Sequence, residues 1–77
     1  PNPVRDYTTF SYYINTPVRV DMELFDTGGR KIRNLIGETQ NIGEHRVRVD
    51  LTDLAPGTYV YRIKAGPLDT AKKLIKL

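Results

Sequence analysis

His45 is the one histidine in the chain, and histidine is the side chain best suited to acid–base work near neutral pH. It falls in register with Val47 and Val49, which puts it on the inward face of a strand near one end. A general base needs a nucleophile to activate and a carboxylate to orient it, and neither accompanies His45. It reads as a satisfied or half-exposed strand histidine. Paired acids are the next candidates. Asp21 and Glu23 share a strand face, and Asp50 and Asp53 flank a corner. Calcium binding or acid–base catalysis asks for a cleft and more oxygen ligands than two carboxylates supply, and no Asp-x-Asp-x-Asp-Gly loop is present. Cross-strand charge pairs with Arg19 or Arg33 explain these acids more simply.

Arg46, Arg48, Arg62 and Lys64 point outward from strands, and the formal net charge is +3 with an isoelectric point near 9.4. That balance raises nucleic-acid binding as a question. Tyr59 and Tyr61 face the opposite side, so the cations are not interleaved with rings on which bases would stack. A solvated basic face is the better reading, and no nucleic-acid partner is expected. Gly28-Gly29-Arg30 has the composition of a phosphate nest, but phosphate loops present their amides at a helix start and a strand pattern follows here. The glycines serve a turn.

The elements that carry these residues have a period of two. Phe10, Tyr12 and Ile14 alternate with Thr9, Ser11 and Tyr13. Val18, Val20, Met22 and Leu24 alternate with Arg19, Asp21 and Glu23. Asp26-Thr27-Gly28-Gly29 makes a hairpin loop. Arg30 to Leu35 returns as a short strand with Ile32 inward, and Gly37 to Gly43 reads as a polar loop. His45, Val47, Val49 and Leu51 form the next strand. Leu54-Ala55-Pro56-Gly57-Thr58-Tyr59 then suits a tyrosine corner, feeding a strand with Tyr59, Tyr61 and Ile63 on one face. After Ala65-Gly66-Pro67-Leu68 the last strand runs from about Thr70 to Leu77, with Ala71, Lys73, Ile75 and Leu77 on one face and Leu74 on the other. The expected fold is an all-β, immunoglobulin-like antiparallel sandwich of six or seven strands. Its core is expected to comprise Phe10, Tyr12, Val20, Met22, Leu24, Val47, Val49, Leu51, Leu54, Tyr59, Tyr61 and Ile63.

Seventy-seven residues allow one domain and no cleft walled by two subdomains. Such a chain buries only roughly 60–65% of its unfolded surface. Hydrophobic residues at 39% and charged residues at 27% exclude intrinsic disorder. No apolar run approaches bilayer length, so no transmembrane segment is expected in these residues. The absence of cysteine removes disulfides, thiolate metal sites and thiol redox chemistry together. No enzyme activity and no cofactor are expected. Because the sequence opens on Pro1 and its only methionine, Met22, lies inside a strand pattern, residues 1–77 are expected to be one domain of a longer secreted or surface protein, ending at Leu77.

Taken in order, Pro1-Asn2-Pro3, the strand from Thr8 to Ile14, Val20-Asp21-Met22-Glu23-Leu24-Phe25-Asp26, Gly29-Arg30-Lys31-Ile32, Gly43-Glu44-His45, Val49-Asp50-Leu51, Leu54 with Gly57-Thr58-Tyr59-Val60-Tyr61-Arg62-Ile63, and Lys72-Lys73-Leu74-Ile75-Lys76-Leu77 span the whole chain. That ordered set resembles the C-terminal sorting domain of the type IX (Por) secretion system of Bacteroidetes, type A. The Gly28-Gly29 pair departs from the family's usual single glycine and leaves the hairpin intact. The resemblance implies a non-catalytic signal that directs a parent protein from the periplasm through the outer-membrane translocon to the cell surface. The implied partners are that translocon, its shuttle protein and a sortase-like surface protease, with attachment to anionic lipopolysaccharide often following cleavage. On this basis Lys72, Lys73, Leu74, Ile75, Lys76 and Leu77 are the expected partner-binding residues, offering basic side chains and a sheet edge. Pro1, Asn2, Pro3, Gly29, Arg30, Gly57 and Tyr59 are expected to maintain the shape. The alternative is a terminal immunoglobulin-like accessory module of an extracellular enzyme, binding carbohydrate or spacing domains. Sugar-binding modules usually expose aromatics on one face, and here only Tyr13 clearly points outward.

Overall fold

In the computed structural model, which describes residues 4–77, the chain forms six strands. These are β1 (Tyr7–Ile14), β2 (Val18–Asp26), β3 (Lys31–Gln40), β4 (Gly43–Asp50), β5 (Gly57–Ala65) and β6 (Leu68–Lys76). No helix occurs among the described residues. One sheet holds β3-β2-β5-β6 and the other only β1-β4, and every strand pair is antiparallel. Alternation explains the layers: Val20, Met22 and Leu24 are buried by the facing sheet, while Arg19, Asp21 and Glu23 turn away. Phe10 of β1 packs on Tyr61 of β5, with ring centroids 4.3 Å apart, and joins the two halves of the core.

All twelve expected core residues are buried or half-buried. The core also takes in Val4, Ile14, Ile36, Ala65 and Leu74. Two expectations about β3 fail. Residues 37–40 continue the strand, leaving only Asn41 and Ile42 between β3 and β4. Ile32 is 36% exposed, and Ile36 fills the core position instead. Bulges cause this: Met22 faces Ile36, Glu23 faces Asn34, Leu24 faces Arg33 and Phe25 faces Lys31, so Leu35 and Ile32 are each extra residues. Each extra residue reverses the inward–outward parity of the strand beyond it. Tyr7 is a third difference. It is 52% exposed on the same outer face as Tyr13, with the Arg48 guanidinium 3.7 Å above its ring centroid.

The bulged register turns Arg33 toward the other sheet. Its guanidinium donates to the Asp50 carbonyl at 2.8 Å and to both carboxylate oxygens of Asp53 at 2.9 and 2.7 Å. Asp21 pairs with Arg19, as expected but along its own strand, and Glu23 pairs with Lys31 in place of Arg33, each at 3.2 Å. Asp50 accepts from the Thr52 amide and hydroxyl, which stabilises the same corner. The chain then turns through Leu51, fully buried, whose carbonyl accepts from the Leu54 amide. The tyrosine corner is present: the Tyr59 hydroxyl donates to the Ala55 carbonyl at 2.6 Å. Tyr59 is half-buried and that bond lies at the surface, not in the core. Gly57 has φ of +155°, where a Cβ is strained, although open space surrounds the position.

Two predictions arise from this corner. Tyr59→Phe is expected to cost about 0.5–1.5 kcal/mol, and Gly57→Val about 1–3 kcal/mol of backbone strain. Each kcal/mol should lower the melting temperature by about 4–8 °C, and unchanged melts in both variants would refute the assignment. The second concerns acid. Hydrogen bonds from the Thr52 amide and hydroxyl hold the Asp50 carboxyl below its usual range, and the hydrogen bond from Arg33 does the same for Asp53. Their contribution is complete above the unfolded carboxylate value of about 3.9 and is lost as pH falls through the lower folded values. Asp53→Asn is therefore expected to lower the urea midpoint at pH 7 and to leave it unchanged near pH 2. Equal destabilisation at both values would show that the charge is irrelevant.

Candidate recognition site

The sequence scatters the motif residues over the whole chain, and the sheet gathers them at one end. Tyr59, the third residue of β5, lies opposite Asp26, the last residue of β2. On its other side Tyr59 faces Leu74, Thr58 faces Ile75 and Gly57 faces Lys76. Val4 forms a parallel bridge to Lys76: its amide donates to the Ile75 carbonyl at 2.8 Å, and its carbonyl accepts from the Leu77 amide at 2.7 Å. The β2–β3 hairpin, the tyrosine corner, the final strand and the first described residue thus lie side by side. Pro1, Asn2 and Pro3 fall outside the described residues.

Each turn at this end has a local cause. The Gly29 amide donates to the Asp26 carbonyl at 3.1 Å, and the Asp26 amide donates to the Arg30 carbonyl at 3.0 Å. Gly29 has φ of +87°, which completes a type I turn and bulge as the expected hairpin requires. The Asp26 side chain accepts from the amides of Gly28 and Arg30 at 2.9 and 3.0 Å, and these bonds, with that from Arg30 dominant, hold its carboxyl below the usual range. Gly28-Gly29-Arg30 is therefore filled by the chain's own carboxylate. Arg30 itself extends into solvent, 3.5 Å from Asp26.

The six expected handle residues divide in two. Leu74 is buried in the core, and Lys76 is only 8% exposed, its ammonium donating to the Leu77 carbonyl at 2.9 Å. Ile75 and Leu77 are 42% and 50% exposed, and Lys72 and Lys73 are exposed. Two apolar and two basic side chains are thus presented at the surface. Sequence reasoning missed Val4, whose signal was only a single apolar residue after a proline, and missed that Leu74 anchors the strand from within.

The other candidate chemistry disperses. The His45 ring stacks on Tyr12, and its Nε2–H donates to the Asn41 carbonyl at 2.8 Å. The Tyr12 hydroxyl donates to Gln40 Oε1 at 2.6 Å. Among the described residues no group of three or more His, Asp and Glu side chains is placed to hold a metal ion. Of the outward cations, Arg46 pairs with Glu44, Arg62 makes a two-point pair with Asp69, and Arg48 covers Tyr7. Among the described residues no helix is long and apolar enough to cross a membrane.

The first immunoglobulin domain of mouse SynCAM 2 is similar in fold, with a TM-score of 0.54 at 8% sequence identity, over 97% of this chain and 88% of that one. That likeness concerns the sandwich alone. No curated protein sequence matches the chain. A family profile described as the secretion system C-terminal sorting domain matches residues 1–77, the whole sequence. By that match over its full length, the chain belongs to the family of C-terminal sorting domains of the Por, or type IX, secretion system and is a sorting signal of that system.

Proposed function

We propose that residues 1–77 act as a single sorting domain on a longer parent protein, and that the end of the sandwich carrying the final strand is what the export machinery reads. One observation carries this reading: Gly29-Arg30, Gly57-Tyr59 and Leu74-Leu77, far apart in sequence, converge on adjacent strand ends. A shuttle protein or the outer-membrane translocon engages Lys72, Lys73, Ile75 and Leu77 through their exposed side chains. Val4 already holds the backbone of Ile75 and Leu77, so side chains, not added strand pairing, supply recognition at this end. Leu74 and Lys76 keep the segment seated. The parent passes from the periplasm to the outer-membrane surface, where a sortase-like protease removes the domain and the parent is released or joined to anionic lipopolysaccharide.

Truncation is a poor test, because removing residues 73–77 also removes the core side chain of Leu74. A surface variant separates the two effects. Residues 1–77 are fused to a folded reporter with an N-terminal export signal, in a host with the type IX system. Lys73→Glu with Ile75→Asp and Leu77→Asp is expected to leave the melt of the isolated domain within a few degrees and to trap the reporter in the periplasm. Arg46→Glu, on the outer face of β4, is expected to be delivered normally. Undiminished surface delivery of the folded triple variant would defeat the proposal.

A further inference from the structure

The two sheets are unequal. Four strands face two, and β1 lies over β2 and β5, so part of the larger sheet extends beyond it. A groove runs there between the free edge of β1, from Thr9 to Tyr12, and a floor of Tyr61, Ile63, Leu68 and Thr70. Leu68 is 45% exposed, which leaves an apolar surface in contact with water. Lys72 stands on the rim, and its ammonium has no ion-pair partner among the described residues.

Edge strands usually carry devices that discourage pairing: charges, proline, bulges or a cover. Three of the four edges here have them. β3 carries Lys31, Arg33 and Glu38 and two bulges, and β4 carries Glu44, Arg46, Arg48 and Asp50. β6 carries Asp69 and three lysines and is bridged by Val4. β1 has none. Its eight residues, Tyr7 to Ile14, include no charge, proline or glycine and are mostly aromatic or β-branched. They also pair with β4 in an unbroken register, which leaves the other edge regular. Such an edge is a template for a further strand.

We infer that β1 is a strand-addition site, taking an extended segment of a partner protein whose alternate side chains are aliphatic and which carries a carboxylate opposite Lys72. The added strand pairs with the backbone of β1 and covers the floor formed by β5 and β6. A second copy of this chain fits poorly. Antiparallel pairing through the same edge would drive its own β5–β6 overhang into this one, and parallel pairing would turn its Thr9 and Ser11 toward the apolar floor. The uncompensated Lys72 supplies the complementary charge. The site shares Lys72 with the handle proposed above, but it rests on the unpaired edge of β1 and the floor of β5 and β6 and does not depend on that recognition.

A direct test uses the 77-residue chain and three synthetic ten-residue peptides, followed by amide chemical shifts. The first peptide alternates valine with threonine and places one aspartate to reach Lys72. The second has lysine in place of that aspartate, and the third has alternate amides methylated to block ladder pairing. The first is expected to shift the amides of Thr9 to Tyr13 and of Lys72 at submillimolar concentration, and the third is expected to shift none. Lys72→Glu is expected to weaken the first peptide about 2- to 5-fold and to strengthen the second by a similar factor, the size of an exposed charge pair. Absence of shifts at β1 up to millimolar peptide would overturn the inference, as would shifts confined to β3, β4 or β6. So would concentration-dependent dimerisation through β1 without peptide, which would make a second copy the occupant. Because the readout is binding by the isolated domain, failure of surface delivery in the reporter experiment leaves this result unaffected.

Discussion

The burial of Leu24, Leu51 and Leu74 against Val4 and Val49 is the contact on which the rest of this molecule depends. Leu24 and Leu51 are wholly inaccessible, and Leu74 is nearly so. Removing each such side chain from water is worth about 1.5–3 kcal/mol, a large share of the 5–15 kcal/mol that stabilises a typical domain. The three leucines come from β2, the corner after β4, and β6. Their packing therefore ties both sheets and the last strand into one unit. The hairpin, the corner and the outward side chains of the final strand are surface features of that unit, and none would hold its position if the leucines separated.

A thin core also explains the distribution of polar interactions. Only two strands cover the smaller layer, so the sandwich has long perimeters where backbone groups would face water unpaired. Side chains close several of them. Arg33 reaches from the edge of the larger sheet to the corner of the smaller one, and Tyr12 bonds Gln40 across the layers. Asp26 and Asp50 satisfy amides in their own turns. These bonds lie mostly at the surface, where each contributes modestly. Their larger effect is geometric, since they fix the corners between which the strands are strung.

For a sorting signal this arrangement has a consequence. A signal must be displayed by a folded domain without competing for its core. Alternation in β6 places Leu74 inside while Lys73, Ile75 and Leu77 face out. Val4 then secures the strand end through its backbone. Core packing and surface exposure thus fall on successive residues of the last strand.

Much of this was legible in the residues alone. Period-two alternation, the glycine hairpin and the Leu54-to-Tyr59 corner are local, because adjacent side chains and turn sterics decide them, and they established the sandwich and most of its core. The ordered motifs likewise carried the family. Tertiary structure decided what depends on a partner strand. The bulges in β3 moved Ile32 outward and Ile36 inward, and nothing in Lys31 to Gln40 announces where a neighbour's register slips. The bridge from Val4 to the final strand joins opposite ends of the chain, and the choice between Leu74 and Ile75 for the core follows from which sheet face β6 shares with β5. Whether an edge is free is likewise a relation between strands: β1 reads as an ordinary apolar strand until the sheet order shows that only one side of it is paired.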